Sequence, residues 1–329
     1  MGKLILFILV ATACSKTKIP KWNYATISPI NVYAFPNSLS GSIGQVNGQI
    51  YVAAGAANGS IAVYKQDNGF KYLQTLTNEY AASAAPSGFF EHESELYFSQ
   101  VTVQHNNANL YQTTLWRLGV DGIFQPQLHE TQWQALPSRI STEYGHLFAL
   151  LVVPQAGYQY GYVQWGYFAN NSFSVQGTLA EYESMFPNET TFYTYNGTVY
   201  AVVRHGESPH TPYQTLKKFN NGVWQPMLDE AGQAVKWQGY AGLVSVCNIG
   251  SRYFAAGYHK VAEYTAWTAV WEFNPATGKL LHTWYPFSQK QGMEVGNGQM
   301  ICNEAAQKLQ LVQNNGPLTY FELLLRDLN

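Results

Sequence analysis

An arginine, two histidines and a carboxylate stand within one short stretch, Arg204-His205-Gly206-Glu207-Ser208-Pro209-His210. A guanidinium fork neutralises a carboxylate, and an imidazole exchanges a proton near neutral pH. A second group, Tyr258-His259-Lys260, follows about fifty residues later. Arg139, Tyr158 and Tyr160 add a further cation and two aromatic faces of the kind that pack on sugar rings. Together these residues would suit a glycan. His205 or His259 would act as a base, Tyr258 as a proton donor, and Arg204 would neutralise a uronate carboxylate. Imidazoles also bind divalent metals, but no pair here has a spacing that demands one. No metal site and no cofactor are therefore expected, with a divalent ion the only one these side chains would admit. The plainer reading is that loop histidines are solvated and that the aromatics pack inside the fold.

What must position these residues is a repeat. A polar turn followed by two large apolar residues recurs at Gly48-Gln49-Ile50-Tyr51, Ser94-Glu95-Leu96-Tyr97, Gly145-His146-Leu147-Phe148, Gly197-Thr198-Val199-Tyr200, Ser251-Arg252-Tyr253-Phe254 and Gly298-Gln299-Met300-Ile301. From Ile50 to Met300 the intervals are 46, 51, 52, 54 and 47 residues. Tight-turn pairs recur with them: Asn68-Gly69, Asp121-Gly122, Asn170-Asn171, Asn221-Gly222, Thr277-Gly278 and Asn315-Gly316. Such pairs supply the positive φ angles of two-residue hairpins. A period near fifty in an all-β chain predicts a six-bladed β-propeller of four-stranded antiparallel blades. The six repeated strands are then equivalent, and Ile50, Leu96, Leu147, Val199, Tyr253 and Met300 are expected at buried positions. Asn31–Ala34 could pair with the last blade, with Leu318 to Leu325 as that blade's outer strand.

Composition agrees. Of 329 residues, 15% are aromatic and only 12% charged, about half the usual share. No long segment has a helical apolar period. The net charge of -2 and five scattered Arg leave no basic stripe for nucleic acid.

The N-terminus carries Lys3, an apolar run from Leu4 to Val10 too short to span a bilayer, and Ala11-Thr12-Ala13 before Cys14. This segment resembles a bacterial lipoprotein signal, departing from the usual box by having Ala11 where Leu is commonest. The resemblance implies cleavage before Cys14, lipidation of Cys14 and a place in the cell envelope, lipid-anchored on the periplasmic side or at the cell surface. The other reading is an ordinary secretory signal cut after Ala13. The resulting division is signal 1–13, lipidated Cys and tether 14–27, and one propeller domain 28–329. Cys247 and Cys302 fall in neighbouring sheets. Export permits a disulfide, but they read better as two small buried thiols.

In a propeller the first–second and third–fourth turns of each blade share one face. Here those turns are short, so that face is plain. The opposite face receives the varied segments, near 57–60, 104–111, 154–161, 204–212, 258–266 and 304–308, with crossovers near 77–82, 129–135, 180–186, 229–237 and 285–293. Varied loops on a rigid scaffold are where sites are built. They carry His105, His129, His205, His210 and His259, with Tyr264, Trp133 and Trp237. An acid recurs there too, at Glu79, Glu130, Glu181 and Glu230. The ligand-binding candidates are Arg139, Tyr158, Tyr160, Arg204, His205, Glu207, Tyr258 and His259.

Known propeller chemistries fit poorly. Sialidase-type sites need three converging Arg and Asp-box turns, whereas Arg139 and Arg204 are the two Arg in plausible places. Trp-Asp and Gly-Gly repeats are absent, and four Asp are too few for a calcium-dependent lactonase. No Gly-x-Ser-x-Gly elbow or His-Glu-x-x-His helix occurs. The chain resembles six-bladed propeller lipoproteins in architecture, not a family of known catalysis. The expected function is a membrane-anchored propeller that binds a glycan or an envelope protein on its loop-rich face. The alternative is a polysaccharide-acting lyase or hydrolase using the His/Arg/Tyr cluster.

Overall fold

The computed structural model describes residues 25–56, 60–77, 83–92, 94–104, 110–133, 135–141, 147–152, 161–169, 172–182, 190–206, 212–262, 265–287, 298–314 and 317–328. Two strands open the chain, β1 (Ala25–Thr26) and β2 (Ile30–Phe35). The next twenty-one follow in order. Blade 1 is β3 (Ser38–Val46), β4 (Gln49–Ala56), β5 (Ile61–Gln66) and β6 (Phe70–Leu76). Blade 2 is β7 (Ser83–His92), β8 (Glu95–Gln104), β9 (Leu110–Leu118) and β10 (Phe124–Trp133). Blade 3 is β11 (Ala135–Ser141), β12 (Leu147–Val152), β13 (Gly161–Ala169) and β14 (Ser172–Tyr182). Blade 4 is β15 (Thr190–Tyr195), β16 (Thr198–Gly206), β17 (Pro212–Asn220), β18 (Val223–Pro226) and β19 (Lys236–Gln238). Blade 5 is β20 (Tyr240–Ile249), β21 (Arg252–Ala262), β22 (Thr265–Phe273) and β23 (Leu280–Tyr285). The last sheet is β24 (Gly298–Asn303), β25 (Lys308–Asn314) and β26 (Leu318–Leu324), completed by β2. The first strands of consecutive sheets touch in a closed ring, β3 to β7, β11, β15, β20, β24 and back to β3. The molecule is an all-β propeller of small antiparallel sheets.

Burial falls outward from the second to the outer strand of blade 1, which the residues explain. The second strand is covered on both faces by neighbouring blades, so β4 reads as an unbroken apolar run with Val52 and Ala53 fully buried. The outer strand β6 is largely exposed and mixed in character. Each described core lies between two blades. One packs Trp165, Leu179 and Phe192 between blades 3 and 4, and another packs Val202, Leu216 and Trp237 of blade 4 against Trp271 and Phe273 of blade 5. The tight turns take positive φ at Asn47, Asn68, Asn196 and Asn221, each followed by a positive-φ Gly.

Four features depart from the sequence reading. Met300 is buried, but in the first strand of its sheet and not the second; Leu309 of β25 holds the second-strand position. Residues 304–307 are consequently a plain-face turn. The slip arises because β2 supplies this sheet's outer strand, so the C-terminal portion contributes three strands. For the same reason Leu318–Leu324 is the third strand, and residues 325–327 turn into a short 3-10 helix. Tyr253 is half-buried, because its hydroxyl reaches across a seam to the Thr194 carbonyl at 2.7 Å. Two sheets have a fifth strand. In blade 4 the outer strand is split, β18 pairing the end of β17 and β19 its start; in blade 5, β1 pairs β23 in parallel. Residues 25–27, read as tether, pack on blade 5, with Ile27 N–H donating to the Tyr285 carbonyl.

Cys247 and Cys302 are joined as a disulfide, not free thiols. Their Cα atoms are 5.7 Å apart on the innermost strands of adjacent sheets. The offset from one blade to the next is what brings them together.

Candidate functional site

The loop-rich end of blades 4 and 5 is where the predicted residues meet the fold. Arg204 and His205 are not loop-tip residues: they belong to the end of β16, paired with Gln214 and Tyr213 of β17. Glu207 lies outside the described residues, as do Tyr158, Tyr160, Tyr264, His105, His210, Glu79 and Cys14. Arg139 stands in β11, the strand of blade 3 nearest the axis. Pairing there jumps from Ser138 to Ile140, leaving Arg139 as the extra residue of a bulge. The same shift occurs in the first strands of blades 1 and 2, between Ser38 and Ser40 and between Pro86 and Gly88. His129, Glu130 and Trp133 are in β10 and Glu181 is in β14, so these are strand residues and not crossover residues. Glu230 is exposed in a loop whose backbone is held by Asp229 Oδ1, which accepts from the N–H groups of Ala231 and Gln233.

Tyr258 and His259 lie in β21. Tyr258 is half-buried, whereas His259 is only 8% exposed. The His259 Nδ1 and the Tyr285 hydroxyl are 2.6 Å apart and share a hydrogen bond. Their rings stack at 6.0 Å between centroids. Trp267 meets Tyr285 edge-on at 5.4 Å. Burial lowers the His259 pKa to about 4, so the imidazole is neutral at physiological pH. His259 is a packed histidine bonded to a tyrosine, not an exposed loop base. Trp237 departs from expectation in the same way. It is 1% exposed, donates from Nε1 to the Gly278 carbonyl at 2.7 Å, and packs edge-on against Trp271 and Phe273 at 5.8 and 4.9 Å. It joins two blades and does not stand in a cleft.

Sequence reading missed Tyr285 and Gln214. Tyr285 carried no signal, because its partnership depends on where β23 ends. Gln214 carried a weak one: it shares the strand phase of the fully buried Leu216.

A cavity of about 420 Å³ opens at the plain end of the axis, lined in part by Gln45, Asn47, Phe89, Glu91, Leu96 and Cys302. It lies on the face opposite the predicted residues. Among the described residues no three His, Cys, Asp or Glu gather as a metal site. No described helix is long and apolar enough to cross a membrane.

No family model matches the chain, and no curated protein matches it. Solved structures do share its fold. A Trypanosoma rangeli sialidase, in complex with the inhibitor DANA, superposes with a TM-score of 0.59 at 10% identity, covering 89% of this chain and 56% of that one. A Penicillium chrysogenum alpha-L-arabinanase complexed with arabinobiose gives 0.59 at 11% identity over 92% and 98% of the two chains. A protein of unknown function from Dyadobacter fermentans gives 0.62 at 9% identity over 89% and 98%. The chain thus spans under two thirds of the sialidase and nearly all of the other two. At these identities the likeness is one of fold. The class is a β-propeller of the architecture shared by these proteins.

Proposed function

We infer that this chain is a glycan-directed propeller that hydrolyses a polysaccharide at its loop-rich face. One observation carries the reading: the propeller superposes, over nearly its whole length, on an alpha-L-arabinanase complexed with arabinobiose. A sialidase has the same fold. The low charge and abundance of Tyr, Trp, Asn and Gln suit a neutral or weakly acidic sugar. Hydrolysis is preferred to an elimination with His259 as the base, because His259 is buried against Tyr285. Arg139 and Arg204 are the cations to which this reading assigns substrate recognition. Incubating the purified chain with arabinan, xylan and a sialylated glycan, and measuring released reducing sugar, tests this. Sugar release from at least one is expected.

A second reading is non-catalytic binding of a glycan or an envelope protein. It is favoured by the bonded state of His259, which removes one proposed base. Glycan binding without cleavage would select it.

The chain is further proposed to be exported and anchored in the cell envelope through lipid on Cys14. The disulfide supports export, since such bonds persist in oxidising compartments. Cys14→Ser should release the protein from the membrane fraction; a variant that stays membrane-bound, with no lipid on Cys14 by mass spectrometry, would refute the anchor.

A further inference from the structure

Five glutamines are almost fully buried among the described residues: Gln100, Gln214, Gln299, Gln310 and Gln313. Four are bonded. Gln299 accepts from the Ser42 hydroxyl and the Ile43 N–H, tying the last sheet to blade 1. Gln313 donates to the Gly257 carbonyl of blade 5. Gln310 donates to Tyr320 and Glu322, and Gln100 accepts from the Trp116 indole. Gln214 is the exception. It is 0% exposed, and neither Oε1 nor Nε2 has a partner. A buried carboxamide with both ends unpaired is a stability liability, because water's hydrogen bonds are lost and none replaces them.

Its position gives that liability a use. Gln214 is the third residue of β17, at the loop-rich end of blade 4. In register it lies between Arg204 on β16 and Trp237 on β19. Directly opposed residues on antiparallel strands share a sheet face. Trp237 shows which face this is, since it packs on Trp271 and Phe273 of blade 5. The unpaired amide therefore belongs to the blade 4–5 seam. It is two strand positions from the apolar layer that includes Leu216.

We propose that Gln214 is a sugar-recognition residue, whose carboxamide meets two neighbouring hydroxyls of a ring, Oε1 accepting from one and Nε2 donating to the other. The proposal rests on the glycan reading above and names a residue and chemistry within it. The competing account is that ordered water fills both hydrogen-bonding positions and the amide is structural.

The two accounts part on stability. Gln214→Met keeps the length and removes both polar atoms; Gln313→Met does the same at a bonded glutamine. Gln214→Asn keeps the amide but withdraws it by one methylene. Melting temperature is measured for each, with titration of arabino-oligosaccharides and sialyllactose. Gln214→Met is expected to melt at or above the parent, and Gln313→Met below it. Gln214→Met and Gln214→Asn should both bind the parent's sugar about tenfold or more weakly. A Gln214→Met protein that melts as far below the parent as Gln313→Met, or fails to fold, shows a structural amide and overturns the proposal. Unchanged affinity in both Gln214 variants also overturns it while leaving the glycan reading intact. A parent that neither binds nor cleaves any glycan removes that reading and the proposal together.

Discussion

The last sheet and the blade 4–5 seam use the same polar side chains in opposite ways. In the last sheet Glu322 is 1% exposed yet fully engaged. It accepts from Lys308 Nζ at 2.8 Å, Gln310 Nε2 at 3.0 Å, the Tyr320 hydroxyl at 2.5 Å and Asn31 Nδ2 at 2.7 Å. Asn31 belongs to the strand that comes from the far end of the chain, so the network fastens the ring closed. The disulfide adds a covalent tie at the neighbouring seam, and Arg252 holds Glu272 in a bidentate pair while reaching the Leu328 carbonyl. At the loop-rich end of blade 4, Gln214 has no partner at all, although His259 of blade 5 is bonded. Glu322, which helps close the ring, is bonded through both carboxylate oxygens, whereas Gln214, at the face on which function is proposed, is bonded through neither end.

Breaking the closure should have the largest effect. Opening the 55-residue loop of the disulfide, by Cys247→Ala with Cys302→Ala, should cost about 4 kcal/mol by chain entropy, read as a fall in denaturant midpoint. Reducing agent should lower the parent's stability but not the variant's. Glu322→Gln comes next, at about 3 kcal/mol, because it leaves Lys308 without its charge partner. Burial alone would raise the Glu322 pKa, but hydrogen bonds from Lys308, Tyr320, Gln310 and Asn31 outweigh it, and the net shift is downward. A lowered carboxyl contributes stability above its unfolded pKa and loses it as pH falls through the folded value. The parent should therefore lose this part only below about pH 4.3, and Glu322→Gln should not show it.

His259 sharpens the comparison in a different pH window. Its folded pKa of about 4 lies below the ordinary histidine value, so the neutral form is the one the fold favours. That contribution is complete above about pH 6.5 and declines between there and about pH 4. His259→Gln should flatten this part of the melting-temperature profile. A profile unchanged by the substitution would mean that His259 is not held neutral by burial. The smallest effect is expected at Gln74, which bonds the Phe124 N–H and carbonyl across the blade 1–2 seam; Gln74→Ala should cost about 1–2 kcal/mol.

The strand-and-turn repeat was legible because it is local. Asn-Gly turns and the paired apolar residues after them carry their conformation in a few residues. The phase slip at Met300 was not legible, because it follows from β2 joining a sheet nearly three hundred residues away. The Cys247–Cys302 bond and the His259–Tyr285 pair escaped for the same reason: each depends on how neighbouring strands are offset. The bulge at Arg139 in the innermost strand of blade 3 was not visible either. Arg204 and His205 were assigned to a loop because the apolar alternation of β16 stops at Val203, whereas the backbone pairing continues to Gly206.

The central claim is that the loop-rich face acts on a glycan. The most direct measurement is reducing-sugar release from arabinan, xylan and a sialylated glycan by the parent chain and by an Arg139→Ala, Arg204→Ala double variant of matched folding. The account predicts release by the parent and its loss, or at least a tenfold fall, in the variant. Equal release by both would contradict the placement of the site, and no release or binding by the parent would contradict the claim itself.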